Sequence, residues 1–199
     1  MNQQLIISVG REFGSGGHEI AQKLSEIYKI PLYDHNLLDE VAAERNLNHA
    51  DLKEFDESKR NKLFSRTVKG LTNSPAHNVA NLQFDYIREK AKNGESFVIV
   101  GRCSETVLKE YPYMVSLFIL GDPEVKAERI MKLYNKSKSA AKDFMKEKDS
   151  KRKAYHNSHC EGKWGDSRNY DLSINSSKLG IDESVRIITE YINARRAFM

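Results

Sequence analysis

Gly14-Ser15-Gly16-Gly17 places three glycines within four residues, between the apolar run Leu5-Ile6-Ile7-Ser8-Val9 and a segment of helical period beginning at His18. Glycine admits positive φ and lets a backbone approach another group closely. A turn of this kind at a helix start leaves N–H groups, here those of Gly16, Gly17 and His18, without intrahelical partners. The helix dipole adds partial positive charge there. Phosphate is the natural guest. A tight turn with only a structural role is the alternative. The position directly after the first strand of the chain favours the phosphate cradle.

The run departs from both common glycine fingerprints. The pattern G-x-x-x-x-G-K-[ST] needs a lysine after Gly16, where Gly17 stands, and a hydroxyl for Mg²⁺ where His18 or Glu19 stands. A dinucleotide fingerprint needs a third glycine at an offset this run lacks. Arg11, inside the run, is the nearest replacement for the missing lysine, since a guanidinium can reach over phosphates. The other reading of Arg11 is a local ion pair with Glu12 that props the turn. Farther along, His156-Asn157-Ser158-His159-Cys160 holds metal-capable residues at close spacing. The sequence shows no partner cluster with firm ligand spacing, so no metal site is expected.

The elements that must position these residues follow from the hydrophobic pattern. Leu5–Val9, Ser96–Val100 and Val115–Leu120 are short apolar runs of the kind buried on both faces of a parallel sheet. Ile30–Asp34 and Tyr170–Ile174 read as two further strands. His18–Lys29 carries Ile20, Ala21, Leu24 and Ile27 at helical spacing. Asn36–Asn93 reads as mostly helical, with a charged, poorly periodic stretch from Asp51 to Thr72 and a new helix starting after Asn73-Ser74-Pro75. Asp122-Pro123 starts another helix, with Asp as N-cap, carrying Val125, Ile130 and Leu133. Ser137–Lys153 reads as a lysine-rich helix, and the chain closes with an amphipathic helix from Ile181. Strands alternating with helices predict a parallel sheet of about five strands covered on both faces, with ligands at the C-terminal strand ends.

The 199 residues suit a single domain spanning 1–199. Hydrophobic residues make up 39% and charged residues 30%, and the mean hydropathy is −0.64. No apolar run is long enough to cross a bilayer, so no membrane partner is expected. Met1-Asn2-Gln3-Gln4 has no basic region ahead of an apolar one, so no secretory signal is expected and a cytoplasmic location is. The two cysteines, Cys103 and Cys160, match no metal or redox spacing and read as free thiols. The net charge of +4 is uneven: residues 123–163 carry twelve Lys/Arg against six Asp/Glu. That segment would suit a local anion, either nucleotide phosphates or nucleic acid, or be a solvated helix surface.

The run Gly10-Arg11-Glu12-Phe13-Gly14-Ser15-Gly16-Gly17, followed by Glu19-Ile20-Ala21, resembles the cytidylate kinase-like family, a branch of the P-loop nucleoside monophosphate kinases. Leu32-Tyr33-Asp34, Gly101-Arg102-Cys103, Lys163-Trp164-Gly165-Asp166, Asn169-Tyr170-Asp171 and Asn175-Ser176-Ser177-Lys178-Leu179-Gly180 resemble later family elements in order. The resemblance implies an α/β, three-layer P-loop NTPase fold. It also implies a helical acceptor-binding insert over 51–85 and a lid-like segment over 131–165. It implies ATP and Mg²⁺ as cofactors, with Gly14, Ser15, Gly16, Gly17, His18 and Glu19 binding the cofactor. Arg11, Arg129 and Arg152 are the expected catalytic arginines, the last two from the lid. Asp34, Arg102 and Asp149 are the expected substrate-side residues, Asp34 orienting the acceptor or holding a metal-bound water and Asp149 holding a ribose or orienting Arg152. Arg60 and Arg66 are candidates for the acceptor's phosphate. Cys103 stands where cytidylate kinases carry an aspartate, which removes a nucleotide contact; Met145 stands where the lid's first arginine would be.

Three functions follow. The first is transfer of the ATP γ-phosphoryl to a nucleoside monophosphate or similar small acceptor. The second is a non-catalytic nucleotide-binding sensor that kept the cradle and lost the lysine. The third is a nucleic-acid module using 123–163; aromatic residues there are sparse, and no nucleic-acid partner is expected.

Overall fold

The computed structural model describes residues 3–34, 36–45, 67–68, 71–72 and 75–198. The chain opens with β1 (Ile6–Arg11), α1 (Gly17–Tyr28), β2 (Leu32–Tyr33) and α2 (Leu37–Arg45). A short pair, β3 (Thr67–Val68) and β4 (Leu71–Thr72), precedes α3 (Pro75–Lys92). Then come β5 (Phe97–Val100), α4 (Ser104–Val107), β6 (Met114–Leu120), α5 (Pro123–Tyr134), α6 (Lys138–His159), β7 (Leu172–Asn175) and α7 (Ser176–Arg196).

Five strands form one sheet in the order β2-β5-β1-β6-β7, and every neighbouring pair is parallel. The two-residue period of a strand sends alternate side chains to opposite faces. Ile7, Val9, Val98 and Val100 face α1 and α7, where Ile20, Leu24, Ile188 and Ile192 close over them. Ile6, Phe97 and Ile99 face the other way, onto Leu37 and Val41 of α2 and Tyr86 and Ile87 of α3. Each fully buried aliphatic side chain contributes about 1.5–3 kcal/mol relative to exposure. The continuous apolar runs are what makes three layers the stable arrangement.

The topology sets the site. The central strand β1 lies between β5 and β6, so the loops leaving β1, β5 and β6 emerge side by side at the C-terminal sheet edge. That edge is where open parallel sheets bind ligands.

Several local expectations need correction. The 51–85 insert is not helical throughout: Thr67–Val68 and Leu71–Thr72 pair antiparallel, and residues 51–66, with Arg60 and Arg66, lie outside the described residues. On α5 the buried face is Lys126, Ala127 and Ile130, while Val125 and Leu133 are exposed. The aliphatic stem of Lys126 fills space that apolar counting assigned to its neighbours. Asp122 is the α5 N-cap residue, but its side chain makes no cap hydrogen bond. Its carboxylate accepts instead from Lys178 Nζ at 2.6 Å and Asn175 Nδ2 at 2.8 Å. Gly180 (φ 76°) breaks α7 near its start, so the regular helix begins at Ile181, as the amphipathic pattern indicates.

Candidate functional site

The chain leaves β1 at Arg11 and turns through Glu12–Gly16 into α1. Ser15 is buried; its N–H donates to Glu12 O at 3.4 Å and its hydroxyl to the same carbonyl at 2.8 Å. Gly17 N–H faces the Ser15 hydroxyl at 3.4 Å, a long contact. The N–H groups of Gly14, Gly16, His18 and Glu19 have no hydrogen-bond partner among the described residues. A row of such donors at a helix start suits an anion. The backbone donors available to an anion are therefore those of Gly14, Gly16, His18 and Glu19, with Ser15 bracing the turn from inside.

Arg11 threads its side chain across this turn. A Cβ on Gly17 would lie 2.5 Å from Arg11 Cβ, and one on Gly101 would lie 2.3 Å from Arg11 Nη1. The path of this arginine thus requires glycine at 17, whereas a side chain at 101 would push its guanidinium end aside. Gly101 also has φ +76°, and Arg102 and Cys103 continue the left-handed backbone at φ 59° and 54°. That strained turn brings Arg102 beside Arg11. The Arg11 guanidinium pairs with Asp34 Oδ1 at 3.4 Å, and His18 Nδ1 lies 2.8 Å from Asp34 Oδ2. Asp34 follows β2, so the aspartate, the loop arginine and the first turn of α1 meet at one point.

Arg152, from α6, donates to Arg11 O at 3.3 Å and lies over the Phe13 ring at 5.2 Å. Three cations from β1, the β5 turn and α6 therefore crowd together. Burial pulls the Arg11 guanidinium down to about 9, helped by Arg152 and Arg102 and opposed by Asp34 and Asp149. Burial lowers Arg152 as well, against Asp149 and Asp34. Arginine stays charged at neutral pH even so. The crowding is a local excess of positive charge that an added anion relieves.

Other residues hold the loop. Glu12 pairs with Lys126 of α5, Oε2 to Nζ at 2.7 Å, and also accepts the Gly121 N–H at 3.2 Å. The local Arg11–Glu12 ion pair is not formed; each residue pairs instead with one from another part of the chain, Arg11 with Asp34 and Glu12 with Lys126. Asp149 accepts the Phe13 N–H at 2.7 Å and lies 3.6 Å from Arg152. Burial raises the Asp149 carboxyl, partly offset by the Phe13 N–H and Arg152. Arg129 donates to Gly14 O at 3.3 Å, and a Cβ on Gly16 would lie 2.1 Å from its Nη1. Ser176, at the start of α7, donates to Ser15 O at 2.5 Å.

Twelve of the fourteen residues nominated from the sequence thus lie around one loop or on its immediate supports; Arg60 and Arg66 are outside the described residues. Arg11, Arg102, Arg152 and Asp34 surround the mouth; Arg129 and Asp149 grip the loop backbone. His18 and Glu19 are exposed at the first turn of α1. Met145 is buried against Ala127, Ile130 and Ala141, so the position aligned with the lid's first arginine is core here. Trp164 packs edge-on against Phe118 at 5.5 Å. Sequence reasoning missed Lys126 and Ser176. Their partners are 114 and 161 residues away; Ser176 lies within the Asn175–Gly180 element, but no local pattern indicates either contact.

No helix among the described residues is long and apolar enough to cross a membrane. The chain is similar to a cytidylate kinase from Pyrobaculum neutrophilum, 25% identical, with 94% of this chain and 92% of that protein covered. It is similar to the crystal structure of an uncharacterized protein from Eubacterium ventriosum ATCC 27560, 43% identical with TM-score 0.77, covering 96% of this chain and 99% of that one. A shikimate kinase from Bacteroides thetaiotaomicron shares the fold at TM-score 0.56 and 14% identity, covering 95% and 98%. The three-layer P-loop kinase architecture is thus shared across proteins of little sequence likeness. The family model described as cytidylate kinase-like matches residues 6–178, and the chain belongs to the cytidylate kinase-like family.

Proposed function

We propose that this protein transfers the γ-phosphoryl of ATP, with Mg²⁺, to a nucleoside monophosphate or a similar small acceptor. The observation that carries the reading is the convergence of Arg11, Arg102 and Arg152 beside a glycine turn with four N–H donors that have no partner among the described residues. Phosphoryl transfer asks for positioning and charge neutralisation rather than covalent help. The backbone donors of Gly14, Gly16, His18 and Glu19 hold the ATP phosphates. Arg11 takes the place of the P-loop lysine, and Arg152 neutralises charge on the transferring group. Arg129 holds the loop against the segment 131–165, which acts as a lid over the nucleotide. Asp34 and Arg102 face the acceptor, Arg102 binding its anion and Asp34 orienting its nucleophilic oxygen.

The donor set fits a polyphosphate well. It fits Mg²⁺ less directly, because the usual hydroxyl is replaced by His18 or Glu19. Asp34, a carboxylate at the mouth of the turn, would hold the ion through water. When bound, Mg²⁺ spreads the charge on the bridging phosphate oxygens.

A second reading, a nucleotide-binding protein without turnover, is favoured by one observation. Lys126, the buried lysine beside the loop, is committed to Glu12. A panel of nucleoside monophosphates and other small hydroxyl acceptors, assayed for ADP release with ATP–Mg²⁺, separates the two. Acceptor-dependent ADP release supports the kinase. ATP binding by thermal shift with no acceptor-dependent turnover supports the second reading.

A further inference from the structure

The turn after β5 and the end of α6 meet in a second polar cluster that phosphate binding does not use. Glu105 Oε1 lies 2.7 Å from His156 Nε2, with the two side chains only 3% and 6% exposed. Cys160 Sγ joins them, and the three donor atoms lie within 4.8 Å of one another. Cys103 is buried on the same turn as Glu105, and its thiol contacts that of Cys160. His156 and Cys160 are four residues apart, one helical turn, which puts both on one side of the α6 terminus. The sequence offered only the His156–Cys160 half; the fold adds Cys103 and Glu105 from 51 or more residues away.

Three features make this more than a polar contact. The first is charge. The half-buried Cys160 sulfur and the buried Glu105 carboxylate face one imidazole, and a dication that takes Cys160 as thiolate with Glu105 and neutral His156 brings the sum to zero. The second is spacing. Zinc sits about 2.3 Å from sulfur and about 2.0–2.2 Å from nitrogen or oxygen, so donors sharing one ion lie roughly 3–4 Å apart. Small side-chain shifts meet that from the observed cluster. The third is an outer ring. Asn157 Oδ1 lies 3.4 Å from His156 Nδ1 and is itself fixed by the Trp164 N–H at 2.9 Å. A proton on Nδ1 directed to Asn157 leaves the Nε2 lone pair for an ion. Thr106 Oγ1 donates to Glu105 Oε1 at 3.2 Å and also reaches Cys160. Partners of this kind orient metal ligands.

We propose that Glu105, His156 and Cys160 bind one zinc-class divalent cation, with the fourth position left to water. Mixed sulfur, nitrogen and carboxylate donors select zinc over Mg²⁺ or Ca²⁺. The ion clamps the turn carrying Arg102 to the helix carrying Asp149 and Arg152. It is a structural clamp between two walls of the phosphate site, and it takes no part in phosphoryl transfer.

The test uses the full chain purified without an affinity tag. Its zinc content is measured by elemental mass spectrometry, and the metal-stripped chain is titrated with Zn²⁺ alone and with Co²⁺ alone. The expected result is one ion per chain, a raised thermal midpoint, and a thiolate-to-cobalt charge-transfer band that Cys160→Ser abolishes. Asn157→Ala and Thr106→Ala should weaken zinc binding by about 10–100-fold. They keep all three donors, so they decide the matter even if Cys160→Ser misfolds. Less than about a tenth of an equivalent of zinc at micromolar free metal, with an unmoved midpoint, overturns the proposal. So does rapid Cys103–Cys160 disulfide formation with peroxide in a chain that takes up no metal, which would assign the cluster to thiol chemistry.

Discussion

Lys126→Met tests how the loop is held. The Lys126 ammonium lies 2.7 Å from Glu12 with only 8% of its side chain exposed; Glu12 is 28% exposed. Breaking a fully buried pair by removing one partner costs about 3–5 kcal/mol, because the other charge stays buried and unpaired. Glu12 keeps some hydration and the Gly121 N–H. The cost should therefore fall below that range, to about 2–3 kcal/mol. For a chain of this size that corresponds to a fall of about 4–12 °C in thermal midpoint. Urea unfolding reads the free energy directly. ATP affinity should fall as well, since Glu12 anchors the first turn of the cradle. The double variant Glu12→Gln/Lys126→Met removes both charges and should recover most of the stability. Lys23→Met, which breaks an exposed pair with Asp182, should leave the midpoint unchanged. A Lys126→Met midpoint equal to wild type, with no coupling to Glu12, would refute this account of the loop.

Gly101→Ala should displace the Arg11 guanidinium and strain a backbone at φ +76°. The left-handed conformation alone costs an alanine about 1–2 kcal/mol; a folded variant with unchanged ATP affinity would count against the Arg11 path. Asp149 titrates above its ordinary 3.8, so the folded chain takes up this proton at higher pH than the unfolded chain does. As pH falls through the raised value, protonation of Asp149 itself favours the folded state. The Phe13 and Arg152 contacts weaken over the same window, so transfer rate should drop while stability from this group rises. Asp149→Asn should remove that acid limb from the pH–rate profile and lower the plateau; an unchanged limb would exclude Asp149 as its source.

Much of this architecture was legible in the chain because it depends on local pattern. Leu5–Val9, Ser96–Val100 and Val115–Leu120 are apolar at nearly every position, and only a sheet covered on both faces buries such runs. The glycine turn announced itself because few other residues tolerate its geometry. What local pattern could not show are the contacts that join distant segments. Glu12 reads as the natural partner of Arg11, its neighbour, yet it pairs with Lys126. Asp149 reads as a ribose contact or as a support for Arg152, from which it lies 3.6 Å; no local pattern shows that its oxygen also accepts a loop N–H 136 residues away. On α5, Val125 and Leu133 have the right period for a buried face, but Lys126 lies inward because Glu12 awaits its charge. The cysteines looked isolated for the same reason: their common neighbourhood exists only once the β5 turn packs on the end of α6.

The central claim is that Arg11 replaces the missing lysine at the phosphate cradle. The most direct measurement compares Arg11→Ala with wild type for phosphoryl transfer from ATP to whichever acceptor the panel identifies, alongside circular dichroism and ATP titration. The account predicts a loss of transfer by about 10²-fold or more, with the secondary structure retained. Wild-type kinetics in a folded Arg11→Ala variant would contradict it.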